Sequence, residues 1–312
     1  MIFLRFALFL LLATILSTAD ASGDFRAYSD LPRDPELEAR LKTIAASVLA
    51  ESPKLTPGNL SMSVIAFSTD GPRRAGYEES IPYHPASVVK LFYLVAAHQR
   101  LRELELQLSD ELTRALRDMI VDSSNDATSY VVDAVTGTTS GPQLEGRAYR
   151  RFVDRRNWVN RYFSRMGYDI NANGKTWCEG VYGREKQILG KNREYRNRIR
   201  SDQVAAVMFS LANRTSVDSA ASDSMLSLMS RAVPAVETSE EGQVQSFLGE
   251  GLPAGAKLWS KAGWTSEVRH DAALVELPNG RRYVAVVLSR GDAANVTTLP
   301  EISRRIVSLF DH

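Results

Sequence analysis

The hydrophobic pattern changes period twice along the chain, and those two changes constrain the fold most. From Pro35 to Leu49, Leu37, Leu41, Ile44, Ala45 and Val48 recur at three- and four-residue steps, the mark of an amphipathic helix. Leu60 to Phe67 then alternates as a strand, Asp70-Gly71-Pro72 signals a turn, and a short second strand fits before Tyr83-His84-Pro85. The middle is helical in period: Val88 to Arg100, Ser109 to Val121, Asp126 to Val135 closed by Gly137, Arg150 to Met166 closed by Gly167, Ser201 to Leu211 and Val217 to Val233. Val88 to Arg100 is apolar enough to be buried within the molecule. Residues 168 to 199, with four glycines and little periodicity, form a long loop of the kind that is often functional. Strand patterns return at Ala256 to Ser260, Asp271 to Leu277 and Arg282 to Leu288, the last two joined by a Pro278-Asn279-Gly280 turn. Pro300 to Phe310 closes as an amphipathic helix.

This order predicts an α+β fold. An antiparallel sheet drawn from both chain ends is flanked by the end helices, and an all-helical lobe is inserted between them. The expected parts are a loosely ordered tail over 22–34, one α/β lobe from 35–86 and 234–312, and a helical lobe from 87–233. A cleft between lobes is where a site belongs. Residues 1–21 resemble a removable signal peptide, with Arg5, an apolar run from Phe6 to Leu16 and Ala19-Asp20-Ala21 at the cut. That run is short of the roughly 20 residues a span needs. The expected location is therefore periplasmic or secreted, with no stable membrane anchor after processing.

Composition excludes several classes of function. Without Arg5 and Asp20 the charge is near balance, 37 basic against 36 acidic residues, which argues against nucleic acid as a partner. Cys178 has no second cysteine to pair with, and His84, His98, His270 and His312 are scattered, so neither a metal nor another cofactor is expected. Arginine outnumbers lysine 30 to 8, with a cluster at Arg147, Arg150, Arg151, Arg155, Arg156, Arg161 and Arg165. A solvated helix face accounts for that cluster, and attraction to an anionic polymer or membrane surface is the alternative.

Three polar motifs carry the chemistry: Ser87-Val88-Val89-Lys90, Ser123-Ser124-Asn125 and Lys261-Ala262-Gly263. Ser87 and Lys90, three apart at a helix start, share a face. A serine hydroxyl needs a base beside it, and a lysine serves when burial and nearby positive charge disfavour its ammonium form. The run Leu91-Phe92-Tyr93-Leu94-Val95 would bury it. Ser123 can pass protons between that lysine and a leaving nitrogen, while Asn125 can hold Lys90 and a substrate amide. The ordinary reading of Ser and Asn at this place is a helix cap. Lys261 at a strand edge can bind a carboxylate, and Gly263 lets a substrate backbone pass close. Trp264 would supply an oxyanion N–H opposite that of Ser87. Thr265 and Arg269 would complete a carboxylate pocket. Each motif is common in isolation; order, local element and spacing agree only in combination.

From about residue 35 to 310 the chain resembles the class A β-lactamase and penicillin-binding serine hydrolase superfamily. Asp118-Met119-Ile120 before Ser123-Ser124-Asn125 and Ala127, and Arg269-His270-Asp271-Ala272 after the third motif, add to the likeness. The resemblance implies a β-lactamase/transpeptidase-like fold and an acyl-enzyme on Ser87. Its ligand would be a β-lactam or a D-alanyl-D-alanine-type peptide. Hydrolysis of β-lactam amides is the first expectation. A D,D-peptidase or related cell-wall amidase or esterase, or a non-catalytic binding protein of the same fold, are the alternatives. Three departures stand out. Ser87 and Ser123 lie only 36 residues apart, Ala262 replaces a threonine, and the loop signature that positions deacylating water is not evident. Glu179 is the expected water-activating base, with Glu185 and Glu194 as the other candidates in that loop.

Overall fold

The computed structural model describes residues 24–176, 181–233 and 242–311. Asp34 begins the first long helix: its carboxylate accepts the Leu37 N–H at 2.9 Å, and Pro35, which lacks an N–H, takes the first turn. The helices are α1 (Phe25–Ser29), α2 (Pro35–Glu51), α3 (Lys90–Glu103), α4 (Asp110–Ile120), α5 (Asn125–Thr136), α6 (Gly146–Arg156), α7 (Trp158–Arg165), α8 (Gly183–Ile188), α9 (Ser201–Ala212), α10 (Ser219–Met229) and α11 (Thr298–Val307). The strands are β1 (Leu60–Ser68), β2 (Gly71–Tyr77), β3 (Ser230–Arg231), β4 (Lys257–Trp264), β5 (Val268–Glu276) and β6 (Arg282–Arg290). They form one antiparallel sheet in the order β2-β1-β6-β5-β4-β3, so strands from both chain ends meet where β1 pairs with β6. The expected α+β arrangement is the one observed.

The sheet separates two cores by strand alternation. Along β6, Val284, Val286 and Leu288 face α3, α9 and the helical middle, while Tyr283, Ala285 and Val287 pack toward α2 and α11. Burial on both faces is why this strand carries an unbroken apolar run. Ser61 and Ser63 of β1 are fully buried too, because their hydroxyls meet that of Ser201 on α9 at 2.7 and 2.9 Å. The β5–β6 turn closes with Gly280 at φ 81°, a conformation glycine adopts without steric cost. Residues 90–98 of α3 are all buried, as their apolar character predicts.

Three local expectations change. The stretch read as a loose tail contains α1, whose Tyr28 is buried against Phe25 and lies under the Arg74 guanidinium. The helix expected over Arg150 to Met166 is two helices broken at Asn157. The Asn157 side-chain oxygen accepts from Asn160 and Asn173, holding the chain in a turn that propensity alone does not reveal. The long loop over 168–199 holds the short helix α8. Among the described residues no helix is long and apolar enough to cross a membrane.

Candidate active site

Ser87 sits in a 3₁₀ turn, Ala86–Val89, that runs directly into α3. Residues three apart eclipse one another in such a turn, which places Ser87 and Lys90 on one side. The turn is entered through Ala86 at φ 45°, a left-handed conformation that costs a non-glycine residue energy. Ser123, in the turn between α4 and α5, is held at φ 56°. Strain thus brackets both serines of the cleft.

Lys90 and Lys261 are fully buried, and Ser123 joins them. Lys90 Nζ donates to the Ser123 carbonyl, to Ser123 Oγ at 3.2 Å and to Asn125 Oδ1 at 3.0 Å. Lys261 Nζ lies 3.0 Å from the same Ser123 Oγ and donates to Ala262 O at 2.7 Å. Gln243 completes the set. Its Oε1 accepts from Lys261 Nζ, and its Nε2 donates to the Ile120 and Val121 carbonyls at 3.0 and 2.8 Å. One amide therefore ties β4 to the end of α4, just before Ser123. Gly263 is required by approach: a Cβ there would stand 2.7 Å from Ser87 N and 2.8 Å from Val88 N. The backbone of β4 thus lies directly against the Ser87 turn.

β5 supports this floor with two buried titratable side chains. His270 Nδ1 accepts from Ser289 N at 3.1 Å, so the ring carries its hydrogen on Nε2 and donates it to His84 O at 2.8 Å. Burial holds His270 down to about 4. Asp271 accepts from Leu248 N at 3.0 Å and from Ala272 N at 2.8 Å, anchoring the segment that carries Gln243. Burial pushes Asp271 up to about 7, against the pull of those N–H groups and of Lys261 and Arg231.

The cleft above Ser87 encloses about 250 Å³, and its described lining includes His84, Asn125, Lys175, Arg193, Arg196, Trp264 and Thr265. Its wall is fastened to α3 by Asn197, which exchanges hydrogen bonds with Gly174 (2.9 and 2.8 Å), and by Tyr93, whose hydroxyl donates to Gly174 O at 2.6 Å. Behind the wall lies an ion-pair cluster. Arg156 makes a two-pronged bond to Glu185 at 2.6 and 2.8 Å with both side chains buried, and Lys175 meets Asp133 at 2.5 Å. Burial raises Asp133, and the Lys175 ammonium opposes that rise.

Ser87, Asn125, Trp264 and Thr265 line the cleft; Lys90, Ser123 and Lys261 are joined to Asn125 and to one another by hydrogen bonds, and Gly263 lies against the Ser87 turn. Thr265 Oγ1 also accepts the Glu267 and Val268 N–H groups of the β4–β5 turn, at 3.1 and 3.3 Å. Arg269 is placed elsewhere. It pairs across the ladder with Trp264 rather than Gly263, on the face of β5 opposite His270. Its guanidinium bonds the Ala293 and Ser246 carbonyls and covers the Phe247 ring. Glu179 and Cys178 lie outside the described residues. Glu185 is engaged with Arg156, and Glu194 lines a separate groove with Tyr149 and Asn160. Sequence reasoning missed Gln243, Lys175, Arg193 and Arg196; none stands in a motif, and only the tertiary contacts reveal them. Of the arginine cluster, Arg156 alone is buried, and the other six are exposed. No group of three or more metal-ligating side chains is gathered among the described residues.

Comparison with known proteins places this geometry in a family. Residues 111–310 match the Beta-lactamase enzyme family. No curated protein matches the chain. Among solved structures the chain is similar to a point variant of PBP-A, solved as an acyl-enzyme complex with penicillin G. That likeness has a TM-score of 0.63 and 19% identity, covering 90% of this chain and 98% of that one. It is similar to a β-lactamase from Sphaerobacter thermophilus, with a TM-score of 0.63 and 18% identity over 85% of this chain and 96% of that one. A class A β-lactamase representative from Bacteroides cellulosilyticus gives 0.60 and 16%, over 86% and 98%. Identities this low speak for the fold, and the sequence match over residues 111–310 carries the rest: the chain belongs to the Beta-lactamase enzyme family.

Proposed function

We propose that the protein is an exported serine hydrolase that opens the amide of a β-lactam and holds the acyl group as an ester on Ser87. The observation that carries this reading is the single hydroxyl of Ser123 set between two buried amines, 3.2 Å from Lys90 and 3.0 Å from Lys261, beside the turn that bears Ser87. A neutral Lys90 has two hydrogens, which Ser123 O and Asn125 Oδ1 accept, leaving its lone pair for the Ser87 proton. Ser87 Oγ then bonds to the carbonyl carbon, the carbon–nitrogen bond breaks, and Ser123 Oγ hands its proton to the departing nitrogen while taking from Lys90 the one that came from Ser87. Lys261 keeps the Ser123 oxygen electrostatically favourable as it gives up that proton, and with Thr265 it receives the substrate carboxylate. The Ser87 and Trp264 N–H groups face the developing oxyanion. Glu179 would direct water to the ester.

A second reading rests on the described lining of the cleft, which contains no Asp or Glu. An ester with no carboxylate to activate water persists, which suits a D,D-peptidase or related cell-wall amidase that releases its acyl group by another route. PBP-A is a structural neighbour solved as a penicillin acyl-enzyme. Intact-mass kinetics with a penicillin separate the readings: an adduct that forms and clears supports the lactamase, and one that persists supports the peptidase. Ser87→Ala is expected to abolish the adduct, lowering the acylation rate at least a thousandfold, on the order seen when a serine nucleophile is removed. Unchanged labelling in that variant removes Ser87 from the role.

A further inference from the structure

The segment between α8 and α9 carries four arginines, and the structure sorts them. Arg198 pairs with Asp169 at 3.2 Å, and Arg200 grips Asp202 with two bonds of 3.0 Å. Arg193 and Arg196 line the cleft with Ser87, and neither has a carboxylate partner among the described residues. Glu194 lies between them in sequence and is absent from that lining, although Arg196 also borders the groove that Glu194 lines. It accepts the Asn192 N–H at 2.8 Å and lines the neighbouring groove.

The turn that presents the two arginines is built, and it carries strain. Arg193 stands at φ 58°, where glycine or asparagine would cost less, and the turn closes through Arg193 N to Gly190 O (3.3 Å), Tyr195 N to Leu189 O (3.0 Å) and Arg196 N to Arg193 O (3.2 Å). Their charge reaches the cleft, because after burial Arg196 and then Arg193 help hold the His84 imidazole below its ordinary value, against Glu267. Lys175, the other cation of the wall, is neutralised by Asp133 and Glu185. A ligand on Ser87 therefore meets, at the mouth, two guanidiniums with no carboxylate partner among the described residues, while Lys261 lies buried behind Ser123.

We infer that the preferred substrate is a dianion. One carboxylate lies toward Lys261, and a second, on the acyl side chain, lies toward Arg193 and Arg196. This rests on the reading of Ser87 as nucleophile. Guanidinium suits a carboxylate by shape as well as charge. At an exposed mouth the gain is modest and falls with salt.

The test compares acylation rate constants, read by intact mass, for benzylpenicillin and for carboxybenzylpenicillin, which adds one side-chain carboxylate to the same nucleus. The parent is expected to favour the dianion about tenfold, the order two exposed charge pairs supply. That preference, read as the ratio of the two rate constants, should vanish in the Arg193→Gln/Arg196→Gln variant and, for the parent itself, in high salt. Equal rates in the parent, or a preference that survives both the substitutions and salt, overturns the inference while leaving Ser87 in its role. Absence of an adduct with either compound overturns the nucleophile reading and the inference with it.

Discussion

The floor of the cleft and the wall behind it both bury basic side chains, and the contacts described around them differ in kind. On the floor, the acceptors described around Lys90 and Lys261 are neutral oxygens: Ser123 O and Oγ, Asn125 Oδ1, Gln243 Oε1 and Ala262 O. In the wall, Arg156 and Lys175 meet Glu185 and Asp133. A dipole fixes an amine in place without bringing an opposite charge to it. A carboxylate cancels the charge and leaves a structural tie. Among the described contacts, then, buried basic side chains are held in two ways in one molecule.

The largest expected effect breaks the wall. Arg156→Leu leaves Glu185 buried without its guanidinium, and removing one member of such a pair costs about 3–5 kcal/mol. Urea unfolding should show that loss, and Arg156→Leu/Glu185→Leu should recover much of it, because two apolar side chains remove the stranded charge. If the single variant unfolds at the parent's midpoint, the wall is not held by charge and the contrast with the floor fails.

A second test concerns what lies beneath the floor, where His270 and Asp271 shift in opposite directions. His270 is lowered from 6.5 to about 4, so it gives stability above pH 6.5 that is lost as pH falls toward 4. Asp271 is raised from 3.8 to about 7, so it gives stability below pH 3.8 that is lost as pH rises through 7. Between about pH 4.5 and 6.5 the unfolded chain binds one proton on the histidine, and the native chain binds one on the aspartate. These two contributions cancel. His270→Gln should make the protein more stable on acidification by about 2–3 kcal/mol across that window, and Asp271→Asn less stable by a similar amount. Urea midpoints measured along the pH range, as differences from the parent, check both slopes. Parallel slopes in the two variants would mean that the support is not a compensated pair.

What could be read from the sequence follows the same division. The sheet, the buried helix α3 and the floor were legible because their signals are local. Short apolar runs on either side of the Pro278-Asn279-Gly280 turn mark β5 and β6, a longer apolar run marks α3, and Ser87 with Lys90, or Ser123 with Asn125, stand within one turn of each other. The wall was not legible. Nothing near Arg156 in an arginine-rich run distinguishes it from its exposed neighbours; its partner Glu185 is 29 residues away. Gln243 bonds Lys261, 18 residues on, and the end of α4, more than 100 residues back. Arg269 stands opposite Trp264 on the ladder, and its carbonyl partners Ser246 and Ala293 lie more than 20 residues away on either side. Side chains whose meaning lies in a distant partner carry no local mark.

The smallest expected effect concerns the two neighbouring serines of the second motif, of which the sequence reading gives the proton-transfer role to Ser123. Ser124 Oγ accepts the Ala127 N–H at 3.2 Å and caps α5, while Ser123 Oγ bridges the two buried lysines. A lost serine cap costs about 1 kcal/mol. Ser124→Ala should therefore lower the urea midpoint slightly and leave the rate of penicillin acylation unchanged. Ser123→Ala should do the reverse, sparing the cap and slowing acylation, because the route from Lys90 to the leaving nitrogen loses its hydroxyl. If acylation falls equally in both, the turn acts as one unit, and the difference between holding a helix and carrying a proton does not reside in a single side chain. If it falls in Ser123→Ala alone, adjacent residues of one type have been assigned separate tasks by the backbone, whose left-handed turn at Ser123 points consecutive side chains at different partners.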